Sequence, residues 1–192
     1  MAKSILAKNN RYPGLYHTAS QIGAHFKKCE YYIECFAGLG RTVKYARASK
    51  HIILNDISEF SNKKCKKNFP NAIITNEDFL ECIKRWNFDT SFFLIVPPWR
   101  IDYYDKDGKI ASKINRKTAS EYMKDLEKIL PGIKGSYLVT LESSKKIKSP
   151  YSKLVKSNKP HLFGNYPKTM MFANYPLDIQ IPTIDNYMET LE

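Results

Sequence analysis

The chain has 192 residues, 43% of them hydrophobic and 26% charged, which is the balance of a globular domain and not of a disordered or fibrous chain. No apolar run approaches the ~18 residues a membrane span needs, and the opening MAKSILAKNNRYPG lacks the apolar stretch of a secretion signal. An intracellular, cytoplasmic protein with no membrane partner is therefore expected. The net charge of +12 favours a polyanion, nucleic acid above all, because each Lys or Arg beside a phosphate releases counterions; plain solubility is the competing explanation.

In chain order, strand-like and helix-like segments alternate, the pattern of an α/β sheet with crossover helices. A helix is predicted over 18–28, with Ile22 and Phe26 four apart. Residues 31–36 (YYIECF) read as a short apolar strand, 37–40 as a turn, 41–48 as a short helix and 51–55 (HIILN) as a second strand. Ser58 opens and caps a helix that runs to about residue 68, ahead of Pro70. A third strand follows at 72–75 and a helix at 79–86. The run 91–96 (SFFLIV) has the continuous apolarity of a central strand covered on both faces, and Pro97-Pro98 ends it. The polar stretch 100–118 reads as a long loop, and such loops are often functional. A helix at 118–130 is closed by Pro131-Gly132, a fifth strand spans 136–141, and the basic stretch 143–160 lies on the surface. A last strand is predicted at 169–174. No repeat divides the chain, so residues 1–192 are expected to form one domain, with 1–30 as an N-terminal segment and helix.

Four clusters stand at strand ends, where open α/β sheets bind ligands. The first is Glu34-Cys35-Phe36-Ala37-Gly38-Leu39-Gly40, a strand, a small-residue turn and a helix. Gly38 and Gly40 permit positive φ and close backbone approach; a tight turn with no ligand fits as well, since G-x-G alone is weak. The second is Asn55-Asp56, sixteen positions beyond Gly40. An acid there can take the hydroxyls of a ribose, or simply cap the next helix. The third, Glu77-Asp78-Phe79, could meet the amino group and ring of an adenine, or again cap a helix. The fourth is Val96-Pro97-Pro98-Trp99. The prolines make a rigid corner, and Trp99 offers a flat face on which stacking a base is worth about 1–3 kcal/mol; a turn with a core tryptophan is the alternative. The cysteines 29, 35, 65 and 82 form no C-x-x-C pair, so reduced thiols and no metal site are expected.

At these residues the chain resembles class I S-adenosylmethionine-dependent amino-methyltransferases, in the order E-C-F-A-G-L-G, L-N-D-I, P-P-W. The segment Arg11-Tyr12-Pro13-Gly14 and the late MMFANY (170–175) are similar to parts of the D12, Dam-like DNA adenine-N6 methyltransferases. The resemblance implies a Rossmann-like class I methyltransferase fold, with a mostly parallel central sheet, an antiparallel last strand and helices on both faces. It implies S-adenosyl-L-methionine as cofactor, lined by Tyr12, Pro13, Gly14, Glu34, Cys35, Phe36, Ala37, Gly38, Gly40, Asn55, Asp56, Asp78 and Phe79. Val96, Pro97, Pro98 and Trp99 would form the catalytic corner around a base taken out of its stack. Arg100 and the run Lys145, Lys146, Lys148, Lys153 and Lys156 would hold phosphates of DNA or RNA, or form a solvated face.

Two departures qualify the likeness. The D12 family carries Asp or Asn where this chain has Val96, and losing one oriented polar contact to the target amino group would cost about 2.7–4 kcal/mol. Only about ten residues separate Phe79 from the fourth strand, so the family's target-recognition insert is absent there; recognition would fall to a protein partner or to 100–118. Trimethylguanosine synthases, which methylate guanine N2 of RNA caps, also have a non-acidic residue before P-P-W and are similar at Lys168-Thr169. A binding subunit of the same fold without activity is the third reading.

Overall fold

The computed structural model describes residues 19–97, 103–104, 110–112, 117, 119–142, 161–163 and 169–177. Its elements are α1 (Ala19–Gly23), β1 (Cys29–Glu34), a 3-10 turn (Val43–Tyr45), β2 (Ala48–Asn55), α2 (Glu59–Asn68), β3 (Ile73–Thr75), α3 (Phe79–Arg85) and β4 (Ser91–Ile95). There follow β5 (Tyr103–Tyr104), β6 (Ile110–Ser112), α4 (Ala119–Ile129) with a 3-10 turn (Leu130–Gly132), β7 (Ser136–Glu142), β8 (His161–Phe163) and β9 (Thr169–Ala173).

Seven strands form one sheet in the order β3-β2-β1-β4-β7-β9-β8. β3, β2, β1, β4 and β7 run parallel, with Ile33 opposite Ile53 on one side and Phe93 on the other. β9 is antiparallel to β7 and to β8. The order reverses between β1 and β4, the switch point at which such sheets leave a crevice beyond their carboxyl ends.

The two faces alternate residue by residue, as period-two side chains require. Ile33, Ile53, Phe93, Ile95 and Val139 pack under Phe79, Cys82 and Ile83 of α3 and Met123 and Leu126 of α4. Tyr32, Phe92, Leu94 and Leu138 pack under Ile22 of α1 and under Phe26. Leu54 meets Cys65 of α2 and Val43. All five residues of β4 are buried, which is why its sequence is apolar throughout.

Several predicted elements are corrected. The 18–28 helix is the short α1, ended where Gly23 lies so close under the Tyr45 ring that any side chain would collide with it; Phe26 reaches the core from beyond the helix, 5.3 Å from the Tyr32 ring and 5.2 Å from that of Phe92. The 41–48 helix is a single 3-10 turn, and β2 takes Ala48 to Lys50 as well. The stretch 100–118, read as a loop, contains the antiparallel ribbon β5–β6. The basic stretch ahead of β9 is followed by β8 on the sheet edge. No helix of the described residues is long and apolar enough to cross a membrane.

Candidate functional site

The carboxyl ends of β1, β2 and β3 meet in a hydrogen-bonded cluster centred on Asn55, which is 1% exposed. Its Nδ2 donates to the carbonyls of Cys35 and Glu77, both at 3.1 Å. Its Oδ1 accepts from Thr75 Oγ1 at 2.8 Å and from the Glu77 N–H at 3.0 Å. Two donors and two acceptor positions are the whole capacity of a carboxamide, so Asn55 pins three strand ends together and has nothing left for a ligand. The sequence places Asn55 beside a cofactor; the structure commits its carboxamide to the strand ends.

Asp56, the next residue, is placed differently. Its Oδ2 accepts from the Gly38 N–H at 2.7 Å and its Oδ1 from the Ser58 N–H at 2.8 Å. Its own carbonyl is held by Asn62 Nδ2 at 2.7 Å and Asn76 Nδ2 at 2.8 Å. A carboxylate accepts about four hydrogen bonds, so both oxygens keep acceptor capacity. Burial raises the Asp56 pKa, opposed by the Ser58 and Gly38 amides. The acid is thus anchored to the glycine turn from the neighbouring strand.

The turn itself requires its glycines: φ is +55° at Gly38 and +66° at Gly40, a region costing other residues about 1–2 kcal/mol. A Cβ on Gly40 would also stand 2.5 Å from a ring carbon of Phe69. Cys65 Sγ donates to the Gly38 carbonyl at 3.4 Å, and the Ala37 N–H to the Asn55 carbonyl at 2.8 Å. Beneath the turn Glu34, 3% exposed, accepts from Tyr32 Oη at 2.7 Å and from Thr42 Oγ1. Burial pushes the Glu34 carboxyl up to about 7, against the two hydroxyl hydrogen bonds. Glu34 supports the turn from below. Cys35, named from sequence with the turn, is 1% exposed, its side chain in the core with Cys82.

At the end of β3, Asp78 caps α3 through the Leu80 N–H at 2.9 Å. Its other oxygen pairs with Lys117 Nζ at 3.1 Å, and Lys117 also pairs with Asp125 at 3.0 Å. Lys117 lies over the rings of Phe79 and Tyr122, 5.3 and 6.0 Å from their centroids. Burial pushes the Tyr122 hydroxyl, on α4, up to about 12, with Lys117 lowering it and Asp78, Asp56 and Asp125 raising it. Phe79 is 2% exposed, its inward ring covered by Phe36 at 5.1 Å and Tyr122 at 5.7 Å. The sequence sets Phe79 against an adenine ring; in the structure its ring is covered, and Phe36 at the same corner is half-buried. Lys117 escaped the sequence reading because its partner Asp78 lies 39 positions away, and Asp125 joins the cluster through Lys117.

The end of β4 is apolar. Pro97 is buried and Val96 packs against the cluster of Ile22, Phe26 and Phe92. Pro98, Trp99 and Arg100, like Tyr12, Pro13, Gly14 and the lysines 145, 146, 148, 153 and 156, lie outside the described residues. No cluster of three or more His, Cys, Asp or Glu suited to a metal occurs among the described residues. An open groove lined by Lys28, Arg47, Ser49, Asp89 and Thr90 lies at the opposite, amino-terminal edge of the sheet.

The donor set fits an adenosine-type group: two anchored carboxylates for hydroxyl and amino donors, a half-buried aromatic ring, and a glycine turn that lets backbone approach.

No family model and no curated protein matches the sequence. Solved structures match the fold. A putative rRNA methylase from Clostridium thermocellum is 11% identical over 83% of this chain and 95% of its own, with a TM-score of 0.56. A SAM-dependent O-methyltransferase from Thermotoga maritima is 14% identical over 88% of this chain and 68% of its own, at 0.55. A putative methyltransferase from Streptococcus mutans, solved in complex with SAH, is 12% identical over 84% and 96%, at 0.52. At such identities the likeness establishes the fold, the Rossmann-like fold of SAM-dependent methyltransferases, and the expected architecture with its antiparallel last strand is borne out.

Proposed function

We propose that this protein is an S-adenosylmethionine-dependent methyltransferase acting on an exocyclic amino group of a nucleic-acid base, with adenine N6 of DNA as the leading substrate. The observation that carries the cofactor half is Asp56, clasping the Gly38 amide from the end of β2 beside the switch point, with acceptor capacity to spare. In this reading Asp56 takes the ribose hydroxyls, Asp78 the adenine amino group, and Phe36 one face of the ring. Gly38 and Gly40 admit the backbone to the rest of the ligand, while Glu34 and Asn55 fix the turn and strand ends from behind. When bound, S-adenosylmethionine supplies a methyl group made electrophilic by its sulfonium. The chain's own contribution to transfer is alignment of the acceptor nitrogen against that methyl.

The acceptor half rests on the Val96-Pro97-Pro98-Trp99 corner. In this reading the carbonyls of the rigid proline corner accept from the base amino group, and Trp99 stacks on the base. Val96 brings no acceptor of its own and packs toward the core. That favours a second reading, guanine N2 of RNA as in trimethylguanosine synthases, where the residue before P-P-W is also non-acidic. A non-catalytic nucleic-acid-binding subunit is the third.

The test is transfer of labelled methyl from S-adenosylmethionine to mixed DNA and RNA, followed by mass spectrometry of the nucleosides. N6-methyladenine in DNA, lost with Trp99→Ala, supports the leading reading. N2-methylguanine in RNA supports the second. No label with native protein that nonetheless binds SAH, and label only with Val96→Asp, would mean a natural protein inactive on adenine.

A further inference from the structure

We infer that the outer face of α2 is a binding surface for single-stranded nucleic acid, built from Phe60 and a stripe of lysines. Phe60, Lys63, Lys64 and Lys67 fall at i, i+3, i+4 and i+7, one continuous face of a helix. The opposite face is fixed: Ser61 and Cys65 are buried, and Asn62 is tied to the Asp56 carbonyl at 2.7 Å. Lys63, Lys64, Lys66 and Lys67 are all exposed, against one acidic residue, Glu59, in the helix. Phe60 is 45% exposed and Ile57, just ahead of the helix, 49%. Lys64 Nζ lies 5.4 Å from the centre of the Phe60 ring, so an aromatic plane and a cation are presented side by side.

The partner follows from that pairing. A positive stripe on a chain of net charge +12 is complementary to a phosphate backbone. An aromatic ring interleaved with lysines supplies base stacking, available only where bases are unpaired. A duplex hides its base faces, and the carboxylates of an acidic peptide carry no ring to stack. The helix begins three residues beyond Asp56, capped by Ser58, so the lysine stripe runs down the chain away from the end of β2. A strand held there would run along that stripe. The inference takes from the proposed function only its substrate class, and gives it a surface outside the 143–160 stretch.

The test is fluorescence anisotropy of the full-length protein, without cofactor, on labelled oligo(dT), oligo(U) and a duplex of equal length over a salt series. Lys63→Glu/Lys64→Glu/Lys67→Glu is compared with Lys124→Glu/Lys128→Glu/Lys134→Glu, which makes the same charge change at exposed lysines elsewhere. The α2 triple variant should bind single strands at least tenfold more weakly, with the salt slope shallower by about 2, and the control should change far less. Phe60→Ala should lose about tenfold and Phe60→Trp should restore it. The deoxy and ribo arms identify the strand the face prefers. The inference is overturned if the two triple variants weaken binding alike, if Phe60→Ala leaves it unchanged, if duplex binds as well, or if polyglutamate displaces the strand at equal charge. SAH affinity, measured in parallel, should be the same in all variants. A protein that binds no SAH would sink the proposed cofactor and leave the α2 result standing.

Discussion

The ends of β1, β2 and β3 and the end of β4 lie side by side at one sheet edge and are built on opposite principles. At the first three, polar side chains abound and most are committed: Asn55 uses every hydrogen bond it has, Glu34 is locked beneath the glycine turn, and Asp56 is anchored yet keeps acceptor capacity. At β4 the chain leaves the sheet through Val96 and Pro97, with packing in place of polar contacts. A rigid polar cradle suits a bound ligand whose hydroxyls and amino groups must be met in fixed places. An apolar corner suits a flat partner that enters and leaves. Cofactor affinity and transfer should therefore be separable by mutation.

The sharpest way to break that contrast is at Asn55. Asn55→Leu removes the bonds that join three strands and leaves the Cys35 and Glu77 carbonyls and the Glu77 N–H buried without partners. A loss of about 3 kcal/mol is expected, read as a lower urea midpoint at unchanged m; a loss under 1 kcal/mol would mean the strand ends hold without it.

Glu34 sharpens the contrast through pH. Its carboxyl titrates near 7 in the fold against an ordinary value of 4.5. Between those values the folded protein holds a proton that the unfolded chain has released. The associated stability is complete below about pH 4.5 and is lost as pH rises through 7. Relative to Glu34→Gln, which keeps an acceptor for Tyr32 and Thr42 and stays neutral, the natural protein should lose about 2–3 kcal/mol between pH 5 and pH 8. Asp56, raised in the same direction, is present in both proteins and cancels. Parallel pH profiles would contradict this account of Glu34.

Gly40→Ala combines a positive φ with a Cβ driven into the Phe69 ring, and about 2 kcal/mol of destabilisation is expected. Lys117→Met is the mildest change. Its ion pairs are about one-third exposed, so thermal unfolding should reveal a loss under about 1 kcal/mol.

Much of this was legible in the sequence for local reasons. The glycine turn follows from two glycines two positions apart, and the caps by Ser58 and Asp78 from the rule that short oxygen-bearing side chains precede helices. β4 was visible because burial on both faces demands unbroken apolarity. What was hidden depends on partners distant in sequence. Nothing local separates Asn55 from Asp56, yet one spends every hydrogen bond on the strand ends and the other keeps acceptor capacity beside the glycine turn; β3 and β1 decide it. Asp78 meets Lys117 across 39 positions. β8 has three residues, too few for a period of two to register, and the early end of α1 depends on Tyr45 packing over Gly23.

The central claim is that the anchored carboxylate at the end of β2 seats an adenosine-type cofactor. Calorimetric titration with SAH tests it most directly, on the natural protein and on Asp56→Asn. One site per chain is expected, weakened about tenfold, or 1.4 kcal/mol, by the substitution with the fold intact. Folded protein that takes up no SAH, or an Asp56→Asn protein that binds it as tightly, would contradict the account.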